Sequence, residues 1–198
     1  MKLLKLLPLL FSLLAFNSGI AQSEEGKFRF GVELGYGFAD LGADETAKEL
    51  ATLSGSTVTY TYDKADLMGR IYGQYGISKN ISAELGYFKS ASLDATYTIS
   101  GASATESYDI AGFDLSAVYH SDQGFYGKAG VHDSEINGNA SVTIGGTTYA
   151  AGATASGNGF LLGAGYEWES YTFGITYYDS VGGVSGSDVT FASIGYRF

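Results

Sequence analysis

Apolar and polar residues alternate along most of the chain. In the first such segment every second residue of 28–38 is large and apolar, and the residues between them are charged or glycine. This period of two predicts a β-strand with one apolar and one polar face. The pattern recurs at 67–77, 81–87, 113–119, 125–131, 162–168, 171–177 and 192–198. The sequence therefore predicts eight strands.

The connections between these strands alternate in length. Short turns at 78–80, 121–123 and 169–170 alternate with long connections at about 39–58, 90–108, 136–158 and 179–187. Strand-like runs inside the long connections, at 57–62, 93–99 and 141–144, indicate that some ladders continue beyond the eight-strand core. This arrangement predicts antiparallel hairpins whose long loops all lie at one end. It is typical of a membrane barrel, although a soluble barrel or sandwich also alternates.

The polar faces of the predicted strands favour the membrane barrel. They carry four positive and four negative side chains interleaved with glycines, and aromatic residues cluster near the strand ends. A narrow lumen accommodates small residues and ion pairs, whereas a solvated face has no need for balanced charge. We predict an all-β fold, an eight-stranded antiparallel up-and-down transmembrane β-barrel. Its predicted lumen ion-pair network comprises Arg29, Glu33, Arg70, Glu84, Asp114, Lys128, Glu167 and Arg197.

The N-terminal residues indicate a secreted protein, and the composition excludes some kinds of site and partner. Residues 1–21 have a basic start, an apolar run and a small-residue exit, which predicts a cleaved signal peptide followed by one barrel domain at 22–198. The chain has no cysteine, so disulfides and thiolate metal sites are excluded. Its formal charge of -10 argues against nucleic acid as a partner.

The final residues carry a family resemblance. Ile194, Tyr196 and Phe198 alternate up to a terminal phenylalanine, and the runs 125–130 and 159–166 are rich in glycine and aromatics. Over 27–198 the chain resembles the small eight-stranded outer-membrane barrels of Gram-negative bacteria, such as the outer-membrane protein A transmembrane domain and the attachment-invasion and opacity proteins. The resemblance implies a monomer in the outer membrane, surrounded by lipid and lipopolysaccharide. It also implies that Ile194, Tyr196 and Phe198 are the signal read by the barrel-assembly machinery, and we expect no peptidoglycan-binding domain after residue 198.

Two functional alternatives concern the lumen. The bulky residues Tyr72, Phe88, Tyr126 and Tyr178 are predicted to point inward, so a narrow ion or small-solute channel is the less favoured hypothesis. A lipid A-modifying enzyme would need a catalytic group, and the candidate is His132 with Ser134 on one face of a strand. That face is predicted to be the lumen or the loop stem, away from lipid, so we expect no enzyme activity, cofactor or metal site. His120, beside a short turn, is expected to be solvated.

The long loops are the remaining candidates for function. Resembling barrels place them outside the cell, where binding residues are commonly found on loops. We predict a role in outer-membrane structure or in adhesion to a host or matrix protein, with Tyr60, Tyr62, Tyr97, Tyr108 and Tyr149 as candidate contacts. Two alternatives remain: the loops only shield the barrel, or their acidic residues hold divalent cations that bridge lipopolysaccharide phosphates.

Overall fold

The computed structural model describes residues 25–39, 42–99, 102–144 and 146–198. The predicted signal peptide, 1–21, lies outside the described residues and stays a prediction. Among the described residues, no helix is long and apolar enough to cross a bilayer. In chain order the elements are β1 (Phe28–Ala39), α1 (Ala43–Ser54), β2 (Val58–Tyr62), β3 (Ala65–Gly76), β4 (Ile81–Ser90), β5 (Leu93–Ile99), β6 (Ala102–His120), β7 (Phe125–Ile144), β8 (Thr147–Trp168), β9 (Tyr171–Tyr178), a 3-10 turn (Val181–Gly183) and β10 (Val189–Arg197).

Eight of the strands close into a ring. The order is β1, β3, β4, β6, β7, β8, β9, β10 and back to β1, and every neighbouring pair is antiparallel. The closing ladder pairs the first strand with the last, with Val32 opposite Tyr196. The predicted eight-stranded up-and-down barrel is therefore confirmed. Because the ring closes, its strands leave no open edge at the level where they all pair.

The outer surface of the ring is apolar. Leucine, isoleucine and aromatic side chains point outward, and many are more than half exposed, including Leu34 at 63% and Ile194 at 59%. Aromatic residues collect at the short-turn end, where Tyr119, Phe125 and Trp168 are exposed. A continuous exposed apolar surface of this extent is unsuited to water and suits a bilayer.

Three strands continue beyond the ring at the long-loop end. The distal parts of β6, β7 and β8 pair with one another, and β5 and β2 add to β6 in that order. We call this five-stranded unit, made of 58–62, 93–99, 102–109, 136–144 and 147–157, the extension sheet. The described residues form ten strands: the eight of the predicted ring, and β2 and β5, which coincide with the strand-like runs at 57–62 and 93–99 and belong to this sheet.

The helix α1 packs on the extension sheet and was not predicted. Good helix formers fill 43–54, and Gly55 ends the helix with the left-handed conformation, φ 62°, that glycine adopts at little cost. Ala47 and Leu50 contact Tyr97 and its neighbours in a small hydrophobic core. Residues 43–54 of the first long loop are therefore an ordered part of the fold.

The lumen has two layers. Towards the loop end, buried apolar side chains fill it, and we call this set the apolar layer: Met68, Phe88, Leu161, Tyr178, Val181 and Phe191. Towards the short-turn end, buried charged and polar side chains fill it. The four bulky residues expected to point inward, Tyr72, Phe88, Tyr126 and Tyr178, are all buried.

Candidate functional site

Arg70 is at the centre of the charged layer. Its guanidinium contacts three carboxylates from three other strands: Glu33 at 3.1 Å, Glu84 at 2.7 Å and Asp114 at 2.6 Å. The Arg70 side chain is completely shielded from solvent. Each pair is charge-assisted, and the planar guanidinium suits several carboxylates at once. One cation thus connects β1, β4 and β6 through β3.

Lys128 adds a second cation to this group. Its Nζ lies 3.7 Å from the Glu84 carboxylate and reaches it from β7, whereas Arg70 reaches it from β3. Gln74 donates a hydrogen bond to the other oxygen of Glu84 at 3.3 Å. Glu84 therefore receives contacts from two cations and an amide, which offsets the cost of burying its charge.

A second cluster lies at the short-turn end. Arg197 Nη1 lies 2.5 Å from Glu167, and His120 Nδ1 lies 3.1 Å from the same carboxylate. The Nε2 of His120 contacts the hydroxyl of Ser82 at 2.9 Å. His120 is 2% exposed, so the expectation of a solvated turn residue is wrong. The ring orients His120 inward, where it joins β4, β6 and β8.

Seven of the eight residues of the predicted network thus fall into two groups. Glu33, Arg70, Glu84, Asp114 and Lys128 form the central cluster, and Glu167 and Arg197 form the cluster at the short-turn end. Arg29 is half-buried below them, opposite Gln74 in the β1–β3 ladder. The sequence missed His120, Gln74 and Ser82 as members. Each of the three stands an even number of residues from a predicted inward charge on its own strand, β3, β4 or β6. This spacing was the signal that could have identified them.

Close packing of the lumen depends on glycines. A Cβ added at Gly86 would lie 2.5 Å from Arg70 Nη2, and one at Gly163 would lie 2.8 Å from Lys128 Cε. The Arg70 and Lys128 side chains therefore cross the lumen over bare backbone. This is the physical reason for the interleaving of glycine and charge that the sequence shows.

The fourth long loop covers the long-loop end of the lumen. His132 Nε2 donates to the carbonyl of Asp179 at 2.7 Å, so Nδ1 accepts the hydroxyl of Ser134 at 3.1 Å. Ser134 Oγ in turn accepts the N–H of Gly182 at 3.0 Å. Val181 is fully buried beneath this contact. The His132–Ser134 pair thus holds the loop in place, and we call these three hydrogen bonds the loop latch.

The latch lacks the geometry of a hydrolase. His132 and Ser134 are 2% and 4% exposed, and the second imidazole nitrogen bonds a backbone carbonyl rather than a carboxylate. Both side chains face the lumen, whereas lipid would contact the outer wall. Across the parts of the chain that the structure describes, no group of three or more His, Asp or Glu residues is placed to hold a metal ion.

The candidate tyrosines of the extension sheet differ in exposure. Tyr149 is 60% exposed and Tyr60 39%, while Tyr62 and Tyr108 are half-buried and Tyr97 is buried under α1 at 1%. Tyr97 therefore packs rather than presents a surface, which corrects its place among the candidate contacts. Burial and nearby Glu106 raise the pKa of Tyr97 to about 12. A 2.5 Å hydrogen bond to Asp44 raises the pKa of Tyr60.

Comparison with known proteins rests on structure. No family model and no curated protein matches the chain. The structure of Ail, the attachment invasion locus protein of Yersinia pestis, in complex with the heparin analogue sucrose octasulfate, is 10% identical with a TM-score of 0.52. The match covers 87% of this chain and 99% of that chain. A second Ail structure is 13% identical over 88% of this chain and 100% of that one, with a TM-score of 0.50.

The chain has the fold of the small outer-membrane β-barrels. The closed eight-strand ring, its exposed apolar belt and the match over nearly the whole length of Ail all agree with this assignment. Barrels of this fold place their short turns in the periplasm and their long loops outside the cell. At 10% identity the likeness concerns the fold, so function has to be argued from this chain's own residues.

Proposed function

We propose that the protein is a non-enzymatic surface barrel that acts in adhesion through its extension sheet, and whose ring contributes to outer-membrane structure. The observation that carries the proposal is that the extension sheet is a folded unit with its own hydrophobic core. Three ring strands continue into a five-stranded sheet, and a helix packs on that sheet through Ala47, Leu50 and Tyr97. Loops that only shield a barrel have no need of a hydrophobic core of their own, whereas a binding surface benefits from preorganisation.

The lumen supports a structural role for the ring. The apolar layer blocks its extracellular half with side chains such as Phe88 and Tyr178, whose rings lie 4.6 Å apart. Below it, two basic and three acidic side chains are joined by salt bridges. An ion path through this interior would have to displace both layers. We therefore infer that the narrow channel is the weaker alternative, to be tested by planar-bilayer recordings of the protein and of Arg70→Ala.

The partner of such an adhesin is a host or matrix molecule. Ail was crystallised with a sulfated, polyanionic sugar analogue. The extracellular segments of this chain, 39–66, 89–109, 133–158 and 179–189, hold thirteen acidic residues and three basic ones. Like charges repel at an interface, so this surface disfavours the same ligand class. We propose a protein partner rather than a sulfated polysaccharide.

Adherence to host cells and matrix proteins tests the proposal. Cells displaying the protein are compared with cells displaying a barrel in which the extension sheet is replaced by tight turns at the top of the ring. Heat-modifiable gel migration controls for insertion, since the ring ladders do not include the removed residues. Lost adherence supports the proposal. Unchanged adherence in a correctly inserted barrel would overturn it.

A further inference from the structure

A groove on the outer wall of the ring crosses β4, β6, β7 and β8, and we call it the outer groove. Its lower part, nearer the short-turn end, has a volume of about 610 Å³ and is lined by Leu85, Leu115, Val131 and Phe160. In the ladders Leu85 stands opposite Leu115, and Val131 stands opposite both Leu115 and Phe160. All four side chains are exposed on the outer face. An apolar hollow of this kind suits a hydrocarbon chain.

The upper part of the outer groove is polar. A second hollow of about 300 Å³ is lined by Tyr87, Ala111 and Glu135, and it shares Phe113 and Asp133 with the lower one. The rings of Tyr87 and Phe113 lie 5.0 Å apart between the apolar row and the carboxylates. Aromatic side chains commonly mark the level where hydrocarbon meets lipid headgroups. The groove therefore passes from the hydrocarbon region to the headgroup region.

Charges of both signs flank the upper hollow. Ala111 stands opposite Lys89 on one side and opposite Glu135 on the other. Neighbouring strands are about 4.8 Å apart, so the backbones at Lys89 and Glu135 are about 10 Å apart, with only the methyl group of Ala111 between them. Asp133 precedes Glu135 on the same outward face of β7. We call Lys89, Ala111, Asp133 and Glu135 the headgroup seat.

Contacts within the protein leave these charges available to a ligand. Lys89 Nζ lies 4.0 Å from Asp109, and the Lys89 side chain is 59% exposed. Glu135 accepts a hydrogen bond from Asn137 at 3.0 Å. Across the part of the chain that the structure describes, the Asp133 carboxylate is in no salt bridge. With Asp109 included, the local charge is negative, so the β7 side of the seat favours a cationic group.

We propose that the outer groove binds a membrane lipid with a phosphoethanolamine headgroup. The ammonium group donates to Asp133 and Glu135, the phosphate contacts Lys89 Nζ, and an acyl chain follows Leu115 and Val131. The short ethyl link between phosphate and amine suits the placement of opposite charges on the two sides of Ala111. A lipid phosphate without an amine would face two carboxylates, and a basic peptide would leave the apolar part of the groove unfilled.

Quenching of a single tryptophan by brominated lipids tests this proposal. Trp168 is the only tryptophan of the chain, so Trp168→Phe with Phe160→Trp places one reporter in the groove. Trp168→Phe with Phe38→Trp places the control reporter on the outer face of β1, at the same loop end of the ring. Both full-length proteins are studied in phosphatidylcholine nanodiscs with EDTA. Phosphatidylethanolamine, phosphatidylglycerol and phosphatidylcholine, brominated on the same acyl chain, are added in turn.

We expect brominated phosphatidylethanolamine to associate with the groove reporter about three- to fivefold more strongly than brominated phosphatidylcholine, the ratio that one partly exposed ion pair supplies. Phosphatidylglycerol, which has no amine, should associate more weakly than phosphatidylethanolamine. The Phe38→Trp reporter should show no preference among the three lipids.

Neutral variants locate the headgroup. Asp133→Asn with Glu135→Gln keeps the side-chain sizes and should reduce the phosphatidylethanolamine preference to none. Lys89→Gln should weaken association of the same lipid by removing the phosphate contact. Glu49→Gln, an exposed acid on α1, is the matched control and should keep the full preference. Insertion is checked by heat-modifiable migration, and Glu135→Gln alone is the second test should the double variant fail to insert.

Four results would overturn the proposal. Equal quenching of the groove reporter by the three lipids would mean no headgroup selection, and the same preference at both reporters would make it a property of the bilayer. A preference that survives in the double variant would exclude the carboxylates. A preference for phosphatidylglycerol that appears only when Mg²⁺ replaces EDTA would make a divalent cation, rather than an amine, the ligand of the seat. The assay contains no host molecule, so its outcome is independent of the adherence result.

Discussion

Arg70 and Asp114 form a two-point ion pair across the lumen, with Nε to Oδ2 at 2.8 Å and Nη2 to Oδ1 at 2.6 Å. Both side chains are fully shielded from solvent, and they lie on strands separated in the ring by β4. The same guanidinium also holds Glu33 and Glu84. The charge balance of the central cluster thus depends on one residue more than on any other.

Replacing Arg70 should destabilise the barrel strongly. Arg70→Met keeps much of the side-chain volume but leaves three carboxylates with Lys128 as their remaining cation. Breaking a buried ion pair from one side costs about 3–5 kcal/mol, because the partner charge stays buried. Urea titration in detergent micelles, read by heat-modifiable gel migration, measures the change.

The control is an ion pair on the outside of the barrel. Lys79 and Asp122 lie 3.0 Å apart between two short turns, and both are largely exposed. Lys79→Met should cost less than about 1 kcal/mol, since exposed pairs contribute little. Similar losses in the two variants would mean that the central cluster does not stabilise the fold.

Two glycines of β7 should respond oppositely to the same substitution. A Cβ at Gly130 would clash with the carbonyl of Leu115 and lie 2.7 Å from the Cα of Ser116, and backbone cannot move aside easily. At Gly127, which faces outward, the nearest atom would be 3.9 Å away. We expect Gly130→Ala to cost about 1–3 kcal/mol through overpacking.

Gly127→Ala is the matched control, because it lies three residues away on the opposite face. It should leave stability unchanged or raise it slightly, since alanine restricts the unfolded chain more than glycine does. Unfolding midpoints of both variants in the same detergent provide the comparison. A destabilised Gly127→Ala with a normal Gly130→Ala would contradict the assignment of inner and outer faces.

The alternation of residues predicted the ring because a strand has only two faces and only one of them can meet lipid. Seven of the eight charged residues that it placed on the inner face are buried, Arg70 and Glu84 among them. It could not show that Arg70 rather than Lys128 would be the centre of the ion-pair cluster. The offset between neighbouring strands, the stagger of the ring, decides which inward residues lie at the same height in the lumen. The same stagger carries His120 into the lumen although it directly precedes a turn.

The extension sheet was predictable in outline and not in its packing. Strand-like runs at 57–62 and 93–99 indicated longer ladders, yet they did not show that α1 would cover Tyr97. Residues 43–54 have few large apolar side chains, so helix formation there depends on the small core formed with the sheet. Local sequence does not encode such a contact between separate loops.

Alkaline pH should loosen the helix from the extension sheet. The pKa of Tyr97 is raised to about 12, from an ordinary value of about 10, so the fold favours the neutral phenol. The stabilisation is therefore complete below about pH 10 and is lost as pH rises towards about 12. Near-ultraviolet circular dichroism and tyrosinate absorbance should change together over this range.

Tyr97→Phe cannot ionise, so the variant should lose that phase of the dichroism change while the other tyrosines still titrate. Heat-modifiable migration should remain normal throughout, because the ring does not depend on Tyr97. If Tyr97→Phe gave the same dichroism titration as the native protein, the transition would belong to another group.

The loop latch should control the mobility of the fourth loop without any role in chemistry. Ser134→Ala removes the acceptor of the Gly182 N–H and the donor to His132 Nδ1. Losing such buried hydrogen bonds costs about 1–3 kcal/mol, here expressed as local opening. Hydrogen–deuterium exchange of 180–187 should accelerate, while the ring strands keep their protection. Ser156→Ala on the outer face of β8 is the control and should exchange as the native protein does.

Because the latch is structural, the lipid A mass of cells producing the Ser134→Ala variant should equal that of cells producing the native protein. A lipid A modification that the native protein causes and the Ser134→Ala variant does not would instead establish the pair as catalytic.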